Sequence, residues 1–324
     1  MKMKKIVIAG GTGFLGSCLK DYYAGTDTHL VILTRRLSRT EGNVSYVQWD
    51  GKSPGRWCQE IEGADALINL NGKSVDCRYN NKNKALIYSS RLDATRALGD
   101  AVLNCARPPR VWINASSATF YRHSLDQDMD EITGVPGAGF SVDVVQKWEQ
   151  AFNSYNTPST RKVIIRTSIV LGRHGGALKP LNVLTLLGVG GQQGPGNQYV
   201  SWIHEKDFVS IIDFIVTHDE ASGIYNVTSP NPVPNNRFMK AIRKVLKMPA
   251  GIPMPRWLLS LGALIIGTET ELVLKSRRVV PARLTQAGYK FKFDNIETAL
   301  KDLYKRQLTF NSTALTSSTE SQPL

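Results

Sequence analysis

The sequence predicts an α/β protein built on a doubly wound, mostly parallel sheet. Three observations support this fold class: a glycine-rich turn follows the first apolar run, further short β-branched runs recur through the first half of the chain, and amphipathic stretches separate them. The runs lack polar–apolar alternation, as expected of strands that are covered on both faces, and the stretches between them are long enough for crossover helices. This pattern is typical of a doubly wound parallel sheet.

The order of these segments also predicts how the chain is divided. The predicted strands are KIVIAG, HLVILTR, ADALINLNG, RVWINASSA and RKVIIRTSIVLG. After about Gly172 the pattern changes to Gly/Pro-rich loops mixed with helical segments. We therefore expect residues 1–172 to form mainly the sheet domain and residues 173–306 a smaller substrate-side lobe, with segments that return to the sheet. Residues 307–324 are Ser/Thr-rich without apolar periodicity, which predicts a disordered tail.

The charge of the chain limits its partners without identifying one. Lys and Arg number 40 against 27 Asp and Glu, which gives a formal net charge of +13. Such a surplus suits nucleic acid, anionic lipid or a phosphorylated small ligand. Because no block of basic residues or basic–aromatic ladder concentrates the charge, we expect no nucleic-acid partner.

Cysteines and apolar segments indicate a cytoplasmic protein. The cysteines lack CxxC spacing, which argues against a zinc site and a disulfide framework and predicts reduced thiols and no metal. They are Cys18, Cys58, Cys77 and Cys105. The first apolar run ends in glycines, which indicates a strand rather than a signal peptide. The longest apolar stretch, WLLSLGALIIG from Trp257, is too short to span a bilayer, so we expect a buried or partner-facing helix and no stable membrane insertion.

A GxxGxxG turn lies between the first predicted strand and the helix FLGSCLKDYY. Its glycines are Gly10, Gly13 and Gly16. The turn needs a residue that can take positive φ, the second glycine lets the backbone approach a pyrophosphate, and the third lets the helix pack on the strand. The spacing alone is weak evidence, but here the strand and the helix are both present. The segment therefore predicts a dinucleotide site on a Rossmann-type sheet.

The end of the second predicted strand indicates which dinucleotide is bound. In VILTRR, Thr34, Arg35 and Arg36 stand where an NAD-preferring fold carries an acidic residue for the ribose 2′-hydroxyl. Arginines can instead hold a 2′-phosphate through charge-assisted, bidentate hydrogen bonds. NADP is therefore favoured over NAD; the alternative is that one or both arginines are solvated loop charges.

Further motifs resemble a known superfamily. The segments GGTGFLG, LTRR, ADALINLNG, SRLDATRAL, INASSATFY, IIRTSIVLG and SWIHEKDFV occur in this order. Together they resemble the extended short-chain dehydrogenase/reductases, and more closely the atypical branch called epimerase family proteins. The later segments NVTSPNPVPNNRFMKAIRKVL and SRRVVPARLTQAGYKF are similar to that branch's own signatures. The resemblance covers roughly residues 4 to 304.

The resemblance implies a set of cofactor-binding positions. Those of the dinucleotide loop are Gly10, Thr12, Gly13, Phe14, Leu15 and Gly16. Arg35 and Arg36 match the adenosine-phosphate end. Leu70, Asn71 and Gly72 match the loop along the cofactor, although Asn71 stands where a small residue is usual. We expect this asparagine to crowd the cofactor's ribose or to hydrogen-bond it.

The resemblance also implies catalytic positions, and only part of the usual set is present. The superfamily uses a Ser/Thr, a Tyr and a Lys, with Tyr and Lys four residues apart on one helix. Ser117 aligns with the catalytic serine, the alternative being a hydroxyl that only caps the turn at the end of the strand. Ser141 and Val145 stand at the Tyr and Lys positions. Lys147 lies two residues past the expected position, on the opposite face of the helix, and we expect it to pair with Asp143 or to be solvated.

Three more side chains are candidates for the site. Tyr121 would act as a substitute proton donor in a reduction, the alternative being an aromatic ring packed under the cofactor. Arg166 matches a strand arginine near the substrate entrance. His204 resembles a histidine near the substrate cleft, although its motif commonly serves structure, with Asp207 as a cap of the following helix.

The resemblance implies an NADP(H)-dependent oxidoreductase or epimerase-like enzyme acting on a small-molecule carbonyl or hydroxyl compound. The alternative is a catalytically degenerate NADP(H)-binding module with a regulatory or redox-sensing role, since the Tyr-x-x-x-Lys pair is missing. The sequence leaves the substrate open and allows either a monomer or a homodimer.

Overall fold

A computed structural model describes residues 3–259 and 271–305. The predicted tail 307–324 and most of the apolar segment 257–267 lie outside these residues, so those two expectations stay predictions. Residues 256–259, at the start of the apolar segment, are helical, and the Trp257 side chain is exposed. No helix within the described ranges is both long and apolar enough to cross a bilayer.

Helices and strands alternate through the first half of the chain, as the sequence predicts. The strands are β1 (Lys4–Ala9), β2 (Thr28–Thr34), β3 (Arg39–Glu41), β4 (Val44–Gln48), β5 (Ala66–Asn69), β6 (Val111–Ser117), β7 (Arg161–Thr167), β8 (Ile169–Leu171), β9 (Tyr199–Val200), β10 (Trp202–His204), β11 (Gly223–Val227) and β12 (Val233–Pro234). The helices are α1 (Phe14–Tyr23), α2 (Cys58–Ile61), α3 (Asn81–Leu103), α4 (Phe140–Asn153), α5 (Leu178–Leu184), α6 (Glu205–Thr217), α7 (Asn235–Val245), α8 (Glu271–Leu274) and α9 (Ala282–Gln286). Residues 296–305 are also helical.

The central sheet has eight strands in the order β11-β7-β6-β5-β1-β2-β4-β3. Every neighbouring pair is parallel except β3 and β4, which form an antiparallel hairpin at one edge. The chain starts at β1, moves outward through β2 and β4, and then crosses to β5 on the other side of β1. The predicted doubly wound fold class is therefore confirmed, and the carboxyl ends of β1 and β5 flank the crevice where such sheets bind ligands.

Both faces of the sheet are covered, which explains the missing alternation in the strand sequences. Ile6 and Ile8 of β1 pack on the face covered by α1 and α6. Val7 and Ala9 of the same strand pack on the face covered by α3. All four side chains are fully buried. Successive residues of one strand thus enter two different cores, and neither face tolerates a polar repeat.

The later part of the chain adds to the sheet and also builds a separate core. The run RKVIIRTSIVLG, predicted as one strand, divides at Ser168: β7 stays in the sheet and β8 pairs with β10 instead. The strand β11 returns to the sheet beside β7. A further apolar cluster, distinct from the two on the faces of the sheet, joins α7 to Trp202 and to the helix 296–305.

Candidate functional site

The glycine turn brings the backbone of the β1–α1 connection close to its neighbours. Gly10 has φ of +77°, and a Cβ atom there would lie 2.9 Å from the backbone nitrogen of Asn71. A Cβ atom on Gly16 would lie 2.4 Å from the backbone of Gly11. Because Gly13 precedes α1 and has no side chain to cap the helix, the first N–H groups of α1 are left for an anion. The turn therefore has the shape and the donors that a pyrophosphate requires.

Phe14 opens α1 and supports a second glycine-rich loop. Cβ atoms on Gly172, Gly175 and Gly176 would lie 2.2, 2.4 and 3.0 Å from atoms of the Phe14 side chain. These glycines allow the loop after β8 to lie directly against the aromatic ring. The Phe14 ring thus packs between the glycine turn and the loop after β8. Thr12 is exposed beside it, and Leu15 is half-buried.

A buried polar network holds the loop after β5. Asn69, the last residue of β5, donates to Asn114 Oδ1 at 2.7 Å and to Thr95 Oγ1 at 3.1 Å. Trp148 Nε1 of α4 donates to the same Thr95 hydroxyl at 3.0 Å. The Asn71 backbone N–H and its side-chain amide each donate to Asn69 Oδ1 at 3.1 Å. The network joins β5, β6, α3 and α4, so the loop that follows Leu70 is fixed before any ligand binds.

Arg91 of α3 also supports this loop and was not among the predicted site residues. Its guanidinium donates to the carbonyls of Lys73 and Ile87 at 3.1 and 3.0 Å. Gly72 leaves room for it, since a Cβ atom there would lie 3.1 Å from Arg91 Cζ. Burial lowers the pKa of Arg91 to about 10, and the group stays charged at neutral pH. The segment SRLDATRAL contains this residue, but nothing in its local pattern indicates that the guanidinium contacts the loop.

Thr34, Arg35 and Arg36 lie at the carboxyl end of β2, next to the glycine turn. Thr34 is buried, and its hydroxyl accepts a hydrogen bond of 3.2 Å from the Arg36 backbone N–H. Both arginine side chains are exposed. β2 pairs with β1 up to Leu33 and Ala9, so the arginines leave the sheet on the same edge as the glycine turn. This is the edge at which a doubly wound fold places the adenosine ribose.

Ser117 is the last residue of β6 and is half-buried at the same edge of the sheet. Its hydroxyl donates to Thr119 Oγ1 at 2.9 Å and accepts from the Thr119 backbone N–H at 3.2 Å. The hydroxyl therefore caps the short 3₁₀ turn Ala118–Phe120. A capping hydroxyl of this kind has a fixed position, which suits either a structural role or the positioning of a carbonyl oxygen.

Tyr121 and Arg166 lie in the interior rather than in an open cleft. Tyr121 is 1% exposed, and its hydroxyl donates to Asn226 at 2.9 Å and accepts from Arg166 at 3.1 Å. Burial raises its pKa, although Arg166 and Asn226 oppose the shift. Arg166 makes two hydrogen bonds to Glu149, of 2.8 and 2.7 Å, and is itself buried. This environment favours the packing alternative for Tyr121, and it gives Arg166 a structural partner that the sequence did not indicate.

The α4 helix has neither member of the usual catalytic pair. Ser141 and Val145, at the Tyr and Lys positions, are both buried. Lys147 is exposed and forms an ion pair of 2.9 Å with Asp143, as predicted. Ser141 Oγ lies 3.5 Å from the hydroxyl of Tyr79, which comes from the loop after β5.

His204 is fully buried at the start of α6 and caps that helix. Its Nδ1 accepts a hydrogen bond of 3.0 Å from the Lys206 backbone N–H, and its ring stacks on Phe293. Burial lowers its pKa to about 4, with partial opposition from Asp302. The expectation that Asp207 caps this helix is wrong: its carboxylate accepts the backbone N–H groups of residues 292 and 293, and so ties α6 to the C-terminal segment.

Metal and thiol chemistry find little support in the described residues. Within 3–259 and 271–305, no group of three or more His, Cys, Asp or Glu side chains is arranged to hold a metal ion. The four cysteines are free and partly buried. Burial and Glu205 raise the pKa of Cys18 to about 12, so its thiol is protonated at neutral pH.

Comparison with protein-family models assigns two regions of the chain. Residues 6–228 match the model of the NAD dependent epimerase/dehydratase family. Residues 254–303 match a domain of unknown function, DUF1731. The first match ends directly after β11, the last strand to join the sheet, and the second begins after α7 and lies near the end of the chain.

Comparison with individual proteins agrees with these assignments. An epimerase family protein of Staphylococcus epidermidis is 31% identical over 304 residues, which are 94% of this chain and all of that protein. The crystal structure of human epimerase family protein SDR39U1 with NADPH superimposes with a TM-score of 0.81 and 28% identity, covering 93% of this chain and 99% of that one. A nucleoside-diphosphate sugar epimerase from Corynebacterium glutamicum follows with a TM-score of 0.74 and 26% identity, covering 92% of this chain and 57% of that one.

Proposed function

Because the chain belongs to the NAD dependent epimerase/dehydratase family, we propose that it binds NADP(H) and reduces a carbonyl group of a small molecule. The residues present fit the dinucleotide. Cβ atoms on Gly10 or Gly16 would collide with backbone atoms, so the turn can take this shape only with glycine at these positions. A turn of this shape is the one along which a pyrophosphate binds in such folds. The N-terminus of α1 faces the same place.

The single observation that carries the choice of NADP is the pair Arg35 and Arg36. They follow directly on β2, both are exposed, and no Asp or Glu occurs between Leu33 and Thr40 to accept a ribose hydroxyl. Two guanidinium groups at this point would bind a 2′-phosphate and would gain nothing from an unmodified ribose. The structure of the human relative contains NADPH, which supports the proposal.

For the chemical step we assign Ser117 as the group that positions the substrate carbonyl. Bound NADPH supplies the hydride. The Ser117 hydroxyl, turned from Thr119 toward the substrate, would donate to the carbonyl oxygen and stabilise its developing negative charge. The preformed turn at Ala118–Phe120 holds the serine in place, so little reorganisation is needed.

The missing pair on α4 favours reduction over oxidation. Oxidation or epimerisation needs a base that removes a proton from a hydroxyl group, and Ser141 and Val145 supply none. Reduction needs only a proton donor, and an ordered water molecule beside Ser117 would serve. Tyr121 would support this edge through Asn226 and Arg166 rather than act as the donor, since its hydroxyl is bonded to both.

A second candidate function is an NADP(H)-binding module without catalysis. The burial of Ser141 and Val145 favours it, because two side chains that pack in the interior no longer serve the site. In this case the cofactor would stabilise the protein or report the redox state. Both candidates share the cofactor site and differ in turnover.

Turnover of a panel of aldehydes, ketones and quinones, followed by NADPH oxidation, separates the two candidates. Ser117→Ala should lower the rate at least tenfold while the NADPH dissociation constant stays the same. Ser154→Ala, an exposed serine at the end of α4, is the matched control and should keep the parent rate. Equal rates for Ser117→Ala and the parent would remove the proposed role of Ser117. Tight NADPH binding with no turnover of any compound would favour the module.

A further inference from the structure

A cluster of basic side chains lies where the chain after β6 meets the C-terminal segment. The Ser276 backbone N–H donates to His123 Nδ1 at 3.1 Å and joins the two segments. Burial and nearby cations lower the pKa of His123. These cations are Arg277, Lys275, Arg122 and Arg256. Four positive groups thus act on a single ring, and two of them flank Ser276 directly in sequence.

Arg277 is the least compensated member of this cluster. Its Nη1 atom is buried and meets no hydrogen-bond acceptor among the described residues. Burial lowers the pKa of Arg277, and Glu271 offsets the shift only in part. The backbone on either side is fixed, since the Arg277 N–H donates to the Tyr199 carbonyl at 2.8 Å. A buried guanidinium donor without an acceptor is costly, and an oxyanion is the ligand that satisfies it best.

Arg278, the next residue, differs from Arg277 because its guanidinium has a carboxylate partner. Arg278 forms an ion pair of 2.6 Å with Asp128, and its guanidinium lies 4.7 Å from the centre of the Tyr199 ring. Adjacent arginines on one segment thus have different surroundings: one has a carboxylate, and the other has a buried donor that no described residue satisfies. General surface charge does not explain this difference.

The cluster contacts the residues that precede α4. Lys275 Nζ forms an ion pair of 2.5 Å with Glu271, donates to the Ala138 carbonyl at 3.3 Å and would lie 3.8 Å from a Cβ atom on Gly139. Glu271 thus compensates Lys275 directly, which leaves Arg277 as the group that an anion would satisfy most. Gly139 precedes α4, whose first turn contains Ser141. His123 follows Ser117 closely in the chain, after the turn that the serine caps. Lys275 thus lies at the start of the helix that holds Ser141. Arg35 and Arg36 follow β2, which lies beyond β5 and β1 in the sheet order.

We propose that Arg277, with Lys275 and His123, binds a phosphate or carboxylate group of the carbonyl substrate. The segment matched by the domain of unknown function would then recognise the anionic part of the substrate, while the sheet domain binds the cofactor. The inference rests on the proposed function in one respect, namely that the anion belongs to the molecule that is reduced. The oxyanion site itself does not depend on turnover.

Calorimetric titration with inorganic phosphate, and separately with malonate, tests the site on protein saturated with NADPH. The parent should bind at least one of the two anions. Arg277→Met should weaken that binding at least tenfold, Arg277→Lys should weaken it less, and the matched control Arg278→Met should change it less than twofold. Tighter binding of phosphate would indicate a phosphate ester as substrate, and tighter binding of malonate would indicate a carboxylate. If Arg277→Met does not fold, Lys275→Met takes its place with an expected loss of at least threefold.

Two results would overturn the inference: a parent that binds neither anion, or an Arg277→Met variant that folds and binds as tightly as the parent. The Arg35→Glu/Arg36→Glu variant keeps this outcome separate from the proposed function. In that variant, titrated without cofactor, phosphate binding should persist because it does not use the adenosine-phosphate end. A protein that fails to bind NADPH but retains Arg277-dependent phosphate binding would refute the proposed cofactor and leave the oxyanion site standing.

Discussion

Glu149 of α4 and Arg166 of β7 form a buried ion pair with two parallel hydrogen bonds of 2.8 and 2.7 Å. Their side chains are only 8% and 6% exposed. Ser116 also donates to Glu149, and Arg166 donates to Tyr121, so the pair joins α4 to the three strands β6, β7 and β11 through Asn226. This buried network of hydrogen bonds positions α4 against the sheet, near the end of β6 where Ser117 lies.

We predict that Glu149→Ala lowers the free energy of unfolding by about 3–5 kcal/mol, because it leaves the Arg166 charge buried without a partner. Urea unfolding monitored by tryptophan fluorescence measures the change. Replacing both partners, as in Glu149→Leu/Arg166→Met, should recover most of the loss. Lys147→Ala removes an exposed ion pair from the same helix and should cost no more than about 1 kcal/mol. A Glu149→Ala loss as small as that of Lys147→Ala would show that the buried pair contributes little.

The closest backbone approach in the glycine turn gives a second prediction. A Cβ atom on Gly16 would lie 2.4 Å from Gly11, so Gly16→Ala should destabilise the protein by about 1–3 kcal/mol and weaken dinucleotide binding. Gly25→Ala is the matched control: a Cβ atom there would lie 4.0 Å from the Tyr22 carbonyl oxygen, and the substitution should be neutral or slightly stabilising. Thermal unfolding with and without NADPH measures both effects. Equal melting temperatures for the two variants would mean that the turn relaxes at no cost.

Charge reversal at the end of β2 tests cofactor selectivity. The double variant Arg35→Glu/Arg36→Glu should weaken NADPH binding by at least about tenfold and leave NADH binding nearly unchanged, since only NADPH offers a 2′-phosphate. Arg107→Glu is the control for reversal of an exposed arginine away from the end of β2. Arg107 lies beside Gly63, which precedes the amino end of β5, so its reversal should leave the binding of both dinucleotides unchanged. Equal weakening of both dinucleotides in the double variant would show that the two arginines do not contact the 2′-phosphate.

His204 gives the protein a pH-dependent contribution to stability. Its folded pKa of about 4 lies below the unfolded value of about 6.5, so the unfolded state binds a proton first as the pH falls. The contribution of the neutral His204 side chain to the free energy of unfolding is therefore fully present above about pH 6.5, and it is lost as the pH falls from 6.5 to 4. From pH 7 to pH 5 the parent should lose about 2 kcal/mol more than His204→Asn, which keeps a side-chain cap for α6. The charged groups that modify the shift are Asp302, Lys206, Lys292 and Arg173.

Urea unfolding of both proteins at the two pH values measures this difference. The carboxylates are common to both and cancel in the comparison, except Asp302, which lies 3.4 Å from the His204 ring. The same loss of stability in both proteins would contradict the assignment to His204.

The local pattern of apolar residues predicted the sheet well, because each strand is buried on both faces. The segments between the strands also have lengths that allow few other arrangements. The glycine turn could also be located, since the strand before it and the helix after it set its geometry. The run RKVIIRTSIVLG exceeded what local pattern resolves: β-branched residues occur on both sides of Ser168, and only the pairing of β8 with β10 ends the first strand there.

The side-chain environment of the site could be predicted less well, because it depends on contacts between distant segments. Arg166 looked like a cleft residue until its partner on α4 was known, and Asp207 looked like a helix cap although it binds the backbone of residues 292 and 293. Asn69 and Asn114 did carry a signal, since an asparagine in an otherwise apolar buried strand requires a buried partner. No signal in the sequence pointed to the unsatisfied donor of Arg277, because the burial of a single guanidinium nitrogen depends on the tertiary structure.

The most direct test of the account is calorimetric titration of the purified, cofactor-free protein with NADPH and then with NADH. Tight binding of NADPH and binding of NADH at least about tenfold weaker are predicted, because the loss of charge-assisted hydrogen bonds to the 2′-phosphate is worth about 1.5–3 kcal/mol. Equal affinity for the two would contradict the choice of NADP. Binding of neither would contradict the cofactor site itself, and with it the proposed reduction of a carbonyl compound.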